Sequence, residues 1–119
     1  MTDLVAYVQK NHIEVVNLKD GNSARGEASF TTTRLLVGQF KPAEELLTNL
    51  LADVKSKGFF APMPRLLIQP LEMVEGGLSE VEERVFFELG TSAGARHVKV
   101  HVGAKLSLQA AIEVLNAPA

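Results

Sequence analysis

Between Phe59 and Val102 the chain places two strand signals around a helix signal, and that order leaves few folds open. The run Arg65-Leu66-Leu67-Ile68-Gln69-Pro70-Leu71 follows Pro62 and Pro64 and carries apolar residues on both faces, as expected of a strand in the interior of a sheet. Gly76-Gly77 makes a turn, and Ser79 with Glu82 makes an S-x-x-E capping box that starts a helix. Val81, Val85 and Leu89 then recur on one helical face. The helix ends at Gly90, or runs to Ala93 and ends at Gly94. From His97 to Val102 valines at 98, 100 and 102 alternate with His97, Lys99 and His101, giving a strand with one core face and one polar face. Strand, crossover helix and strand form a βαβ unit, so the sheet has parallel strands.

The remaining segments attach to that unit. Leu4–Val8 and Ile13–Leu18 are β-branched runs joined by Gln9-Lys10-Asn11-His12, a length suited to an antiparallel hairpin that leaves His12 exposed in its turn. After the turn cluster Lys19-Asp20-Gly21-Asn22-Ser23, the segment Phe30–Val37 is rich in β-formers and stops at Gly38, which predicts a third strand. A helix over 42–57 is signalled by Pro42 in its first turn, by Glu44 and Glu45 near its start, and by Lys55, Lys57 and Gly58 at its end. Leu46, Leu47, Leu50, Leu51 and Val54 form its apolar stripe. A last helix over 107–115 is capped by Ser107. The result is an α/β protein with a five-stranded mixed sheet and the element order βββαβαβα.

Composition closes off several function classes. The chain has 119 residues, 46% of them hydrophobic and 22% charged, with a formal net charge of -2; this is one soluble domain spanning 1–119, without interdomain linkers or repeats. A slightly acidic balance disfavours nonspecific nucleic-acid binding, which needs a concentrated positive surface. The absence of cysteine removes disulfides, thiol nucleophiles and thiolate metal sites together. No stretch reaches the ~18 apolar residues of a membrane span and no leader pattern begins the chain, so the expected place is the cytoplasm, without membrane insertion.

Three stretches carry a resemblance to a known family. Phe59-Phe60-Ala61-Pro62-Met63-Pro64-Arg65-Leu66-Leu67-Ile68-Gln69-Pro70, then Glu82-Glu83-Arg84, then Ala93-Gly94-Ala95-Arg96-His97-Val98-Lys99-Val100 resemble the bacterial rod-shape protein MreB, an actin-like ATPase. That family has a proline-arginine step into a strand, a helix with an acidic-basic run, and an A-G-A-R turn into the next strand. Lys19-Asp20-Gly21 and Tyr7-Val8 are similar as well. The match covers 44 to 112, and Met73 to Gly77 reads as an insertion within it. The resemblance implies a ribonuclease-H-like fold, used as a single actin-like lobe. It does not carry over the nucleotide site: the first strands are joined by Gln9-Lys10-Asn11-His12, without the glycine-bearing phosphate loop of the family, and the chain ends before any second lobe. His101-Val102-Gly103 stands where the family has an acidic residue. No bound ATP, and no other cofactor, is expected.

The residues that invite a chemistry are few. A ribonuclease-H-like nuclease needs an Asp inside the first strand to hold divalent metal; Asp3 precedes that strand, and Glu72 and Glu75 fall in a loop. His97 and His101 share a strand face, but four strand residues span about 13 Å, too far for one ion at about 2 Å from each nitrogen. Gly76, Gly77 and Ser79 lead into a helix N-terminus, a place that can hold an anion through free N–H groups, although no Lys or Arg lies in the loop and Ser79 reads first as a cap. In Phe59-Phe60 and Phe86-Phe87 one ring of each pair belongs in the core and the other at the surface.

The sequence thus points to a protein without catalytic or metal-ligating residues: an interaction or scaffold module linked to cell-shape or envelope machinery, working through a protein partner or self-association. The alternative is a small ligand- or anion-binding protein or enzyme that uses the Gly76-Gly77 loop and the nearby strand ends. The partner-facing candidates are His97, Lys99 and His101, a polar row on a late strand. Two histidines would make such a contact sensitive to pH between roughly 5.5 and 7.5.

Overall fold

The chain folds in the predicted order βββαβαβα. The computed structural model describes residues 2–54 and 63–118. β1 (Asp3–Gln9) and β2 (His12–Asn17) form a hairpin, β3 (Ser23–Glu27) pairs with β2, and α1 (Phe40–Val54), β4 (Arg65–Pro70), α2 (Glu80–Ser92), β5 (His97–Val100) and α3 (Leu108–Asn116) follow. They build one five-stranded sheet in the order β3-β2-β1-β4-β5. β1 is antiparallel to β2 and parallel to β4, and β4 is parallel to β5. The hairpin supplies the antiparallel half and the βαβ unit the parallel half, so the sheet is mixed.

Period-two alternation sends the two sets of strand side chains to opposite faces. Leu4, Ala6, Val8, Ile13, Val15, Leu66 and Ile68 pack under α1 and α2, which contribute Leu47, Leu50, Leu51, Val54, Phe86 and Leu89. On the other face Val5, Tyr7, Val16, Leu18 and Leu67 meet Ala111 and Leu115 of α3. β4 is therefore apolar on both faces, as its sequence requires. Gly90 sets how near α2 comes: a Cβ there would stand 2.7 Å from Val98 Cγ2, so its absence lets the helix settle against β5.

The helices mostly begin and end where their signals stand. Ser79 caps α2 with the reciprocal Ser79–Glu82 capping box, and Ala93 is its C-cap, so the helix passes Gly90 and stops before Gly94. Ser107 caps α3. α1 begins at Phe40, which puts Glu44 and Glu45 past its first turn and leaves that turn without acidic residues; they do not oppose the dipole as the sequence suggests, because the effect falls off within a turn. Lys55, Lys57, Gly58 and the Phe59-Phe60 pair lie outside the described residues. Phe86 is buried and Phe87 is 41% exposed, the division expected of adjacent aromatics on a helix.

The third strand is not at Phe30–Val37 but at Ser23–Glu27, a polar segment that alternates exposed and half-buried residues. Two causes combine. A tight reversal after Asn17, where Asn17 N–H donates to Asn22 O at 2.7 Å and Gly21 N–H to Asn17 O at 2.9 Å, brings Ser23 opposite Val16. In Phe30–Val37 the threonine hydroxyls bond locally: Thr31 Oγ1 donates to Leu36 O at 2.7 Å and Thr32 Oγ1 accepts from Leu35 N–H at 3.2 Å. Short side chains that satisfy nearby backbone groups compete with a ladder, and the segment becomes a compact loop anchored by buried Phe30, Leu36 and Val37.

The hairpin turn is also shorter than predicted, because Gln9 and His12 are paired in the ladder. His12 opens β2 half-buried, not exposed in a turn, and its Nδ1 is buried with no hydrogen-bond partner. β5 stops at Val100, and its valine face is only half covered: Val98 and Val100 are partly buried and Val102 is 37% exposed. β5 is a sheet edge, where the covering helix reaches only one side of each residue.

Candidate functional site

In a hairpin-first α/β sheet the tip of the β1–β2 turn lies at the end where parallel strands and loops can gather a ligand. Here that tip is Lys10-Asn11, with Asn11 at φ 55, a left-handed conformation that Asn tolerates better than most residues. The backbone N–H, the carbonyl and the side-chain oxygen of Asn11 are all engaged. Its N–H donates to Thr31 Oγ1 at 2.9 Å, its Oδ1 accepts from Phe30 N–H at 3.0 Å and Thr31 N–H at 2.9 Å, and its carbonyl accepts from Ala28 N–H at 3.2 Å. The tip is thus closed against the loop after β3, and its backbone amides do not converge on open space as an anion cradle requires. Nothing in the sequence but the Lys-Asn step hints at this, since the partners lie 19 and 20 residues away.

The first predicted site, the Gly76-Gly77 loop, has the backbone expected of a turn: both glycines have positive φ, 79 and 86, and Gly77 N–H donates to Val74 O at 2.9 Å. At the helix start, Ser79 N–H donates to Glu82 Oε1 at 3.0 Å and Glu82 N–H to Ser79 Oγ at 3.2 Å. A carboxylate of the chain itself therefore sits where an anion would bind. Glu80, Glu82 and Glu83 all fall in the first turn of α2, and their charge opposes a phosphate approaching through the dipole.

The second predicted site, the polar row of β5, is divided. His97 is exposed and His101, just past the strand, is half-buried. Lys99 turns inward: its Nζ donates to Val114 O at 2.9 Å and to Ala117 O. Arg65, on neighbouring β4, reaches the same place. Its Nη1 donates to Leu115 O at 3.2 Å and its Nη2 to Asn116 Oδ1 at 2.8 Å, while Nε and Nη2 clasp the Asp3 carboxylate at 2.8 and 2.7 Å. The hydrogen bond to Asp3 raises the Arg65 pKa. α3 has no basic residue in its last turn, and the two cations that satisfy its C-terminal carbonyls come from the sheet instead.

Beyond these cations, polar side chains fasten the segment between β5 and α3. Gln69 is fully buried; its Nε2 donates to Gly103 O at 3.1 Å and Ala104 O at 2.8 Å, and its Oε1 accepts from Leu106 N–H at 3.0 Å. Tyr7 Oη donates to Leu106 O at 2.8 Å. Burial, with the charge of Glu14 adding to it, pushes the Tyr7 phenol above its ordinary value. Lys105 Nζ lies 4.5 Å from the centroid of the Tyr7 ring and 4.0 Å from Glu14 Oε1. These contacts are structural.

A further place lies beside the Gly76-Gly77 loop and the end of β4. Where the 35–37 loop, the segment after β4 and the first turns of α2 meet, a small apolar pocket lined by Leu35, Val37, Pro70, Met73, Leu78 and Val85 opens to the surface beside Val81. Its signal in the sequence was Val81, at a helical spacing that reads as core but in fact 72% exposed. Asp3 lies in β1 bound to Arg65, Glu72 lies 3.9 Å from Lys10, and among the described residues no group of three or more His, Asp or Glu is placed to hold a metal. Among them, too, no helix is long and apolar enough to cross a membrane.

Known proteins complete the picture. The chain matches no protein-family model. It is 35% identical over 98 residues to the uncharacterized protein YjaA of Escherichia coli (strain K12), an alignment covering 78% of this chain and 77% of that protein. Its fold is similar to that of the ethanolamine utilization protein EutJ from Carboxydothermus hydrogenoformans, with a TM-score of 0.59 at 16% identity, over 86% of this chain and 36% of that one. The chain thus spans about a third of EutJ's length, and the shared architecture is the ribonuclease-H-like, actin-like fold that the family resemblance implies.

Proposed function

The chain belongs to the family of YjaA, and we propose that it is a non-enzymatic interaction module: an actin-like lobe that does not bind ATP and works through a protein partner or through self-association. The observation that carries this reading is Asn11. In an actin-like lobe the first hairpin turn holds phosphate by presenting backbone N–H groups, and here that turn is two residues long and bonded to Phe30 and Thr31. The MreB-like stretches around Pro64-Arg65 and Ala93-Gly94-Ala95-Arg96 support a place in cytoplasmic cell-shape or envelope machinery. His97 and His101 are one candidate contact face, tested by light scattering at about pH 5.5 and about pH 7.5. A mass unchanged on replacing both with alanine, with any oligomer intact, removes that face.

Titration calorimetry with magnesium ATP at millimolar concentration tests the main reading. No saturable heat is expected, and a micromolar dissociation constant would overturn it. A thermal-shift series with phosphate and nucleotides covers the alternative at the Gly76-Gly77 loop. A ligand at 100 times its dissociation constant adds about 2.7 kcal/mol of stability, and a saturable gain with phosphate alone would identify a small-anion-binding protein instead.

A further inference from the structure

The two edges of the sheet are unlike. β3 ends it in a polar strand that shows Ser23, Arg25 and Glu27 to solvent, and charged side chains of that kind keep an edge from pairing. β5 ends it with half-covered valines and with its lysine turned away onto α3. We propose that the open edge of β5 takes an extended segment of a partner protein as an added strand. The proposal rests on the reading of the chain as an interaction module and names the surface and the form of the partner there.

Backbone geometry decides the occupant. Along a parallel ladder every second residue bonds the same neighbour, and Arg96 N–H donates to Pro64 O at 2.8 Å on the β4 side. His97 and Lys99 therefore turn their N–H and C=O groups outward, and among the described residues no strand pairs with β5 on that side. A row of main-chain donors and acceptors is matched by the main chain of another strand, which a helix does not offer. The groove along this edge touches every residue of β5 and is bordered by Phe87 of α2 on one face and by Val114 and Pro118, at and after the end of α3, on the other. Side chains on both faces of an added strand thus have apolar surface to meet.

Length makes the partner a different protein. β5 has four residues, about 13 Å of strand, and pairing over that length alone falls short of the roughly 1,200–2,000 Å² that a stable interface between folded copies buries. Strand addition by a flexible segment draws on main-chain hydrogen bonds instead. A two-fold pairing of β5 with itself would also set the basic lining of one copy, Arg96, His97 and Lys99, against that of the other. Lys99 already has its acceptors in Val114 O and Ala117 O, so an added strand leaves no covered ammonium without a partner.

The test screens the native chain against a displayed library of random peptides of about 12 residues and follows the enriched ones, made synthetically, by anisotropy and by NMR hydrogen exchange. Bound peptide is expected to slow exchange of the His97 and Lys99 amides at least about tenfold, while those of β3 keep their rates. Affinity should fall at least about tenfold on His97→Pro, which removes an outward N–H at an edge where proline is tolerated, and stay within about twofold on His97→Ala, which removes only the imidazole. N-methylation of the peptide backbone should abolish binding at alternate positions and spare it at the intervening ones, a readout that needs no variant to fold. The proposal is overturned by no enrichment, by His97 and Lys99 amides that keep their rates, or by equal losses on His97→Pro and His97→Ala. Peptides that bind and leave this edge untouched move the surface elsewhere with the interaction-module reading intact, whereas saturable ATP binding overturns the module reading on its own. Self-association lost on His97→Pro would place a second copy on the edge and overturn the choice of partner.

Discussion

The two faces of the sheet are held by different physics. Under α1 and α2 the cluster is large and apolar, from Leu4 and Ile68 to Leu47 and Phe86, and burial supplies most of the stability. Under α3 the apolar cluster is smaller, and side chains of the sheet bond directly to backbone: Arg65 and Lys99 to the end of α3, Gln69 and Tyr7 to the segment before it. A three-layer fold needs both faces covered, and a helix of nine residues is too short to hold its shape away from the sheet. The difference is one of proportion: the first face has Asn17 Nδ2 donating to Val54 O at the end of α1, whereas the second is fastened by four such side chains over a smaller apolar cluster.

The largest effect expected is on the aliphatic face. Ile68→Ala should lower the unfolding free energy by about 2–5 kcal/mol, because the side chain is fully buried and the surroundings relax only in part around the cavity; urea denaturation measures it. On the other face Gln69→Leu keeps the volume but strands the groups it served. A loss of about 1–3 kcal/mol is expected, and a neutral result would erase the contrast between the faces.

Arg65→Met should cost about 1–2 kcal/mol, less than a fully buried charge-assisted pair because both Arg65 and Asp3 are about one-fifth exposed. Hydrogen exchange sharpens the comparison: amides of α3 should lose protection in this variant while those of α1 keep theirs. If α1 and α3 open together, the faces are one cooperative unit.

Tyr7→Phe should cost about 1 kcal/mol through the lost bond to Leu106 O, and it should also change the pH profile. The folded state keeps the Tyr7 proton above the ordinary phenol value of 10.0, where the unfolded chain has lost it. That contribution is complete below about pH 10 and drains away as pH rises through the folded-state value, so the native protein should lose stability there more steeply than the variant. The smallest effect is that of Val81→Asp, within about 0.5 kcal/mol, since an exposed residue on a capped first turn leaves nothing unpaired.

Much of this architecture was legible in the residues alone. The S-x-x-E box of α2, the leucine stripe of α1, the doubly apolar β4 and the Ser107 cap act through neighbours a few positions apart, so the sequence displays both partners at once. For the same reason the element order followed from the chain; the actin-like fold was what the family resemblance implied. The places where the reading failed are those where a partner far along the chain decided the outcome. Phe30–Val37 has the composition of a strand, yet Asn11, 20 residues earlier, holds Thr31 in a loop. Lys99 reads as part of a partner-facing polar row, yet α3 returns its carbonyls to it from 15 and 18 residues on. Arg65 and Asp3 are 62 residues apart, and Val81 lies on the same helical stripe as Val85 and Leu89 while only its neighbours are covered. Periodicity records which side of an element is apolar, but which of those residues a neighbouring element covers is set by packing between segments, and that exists only once the chain has folded.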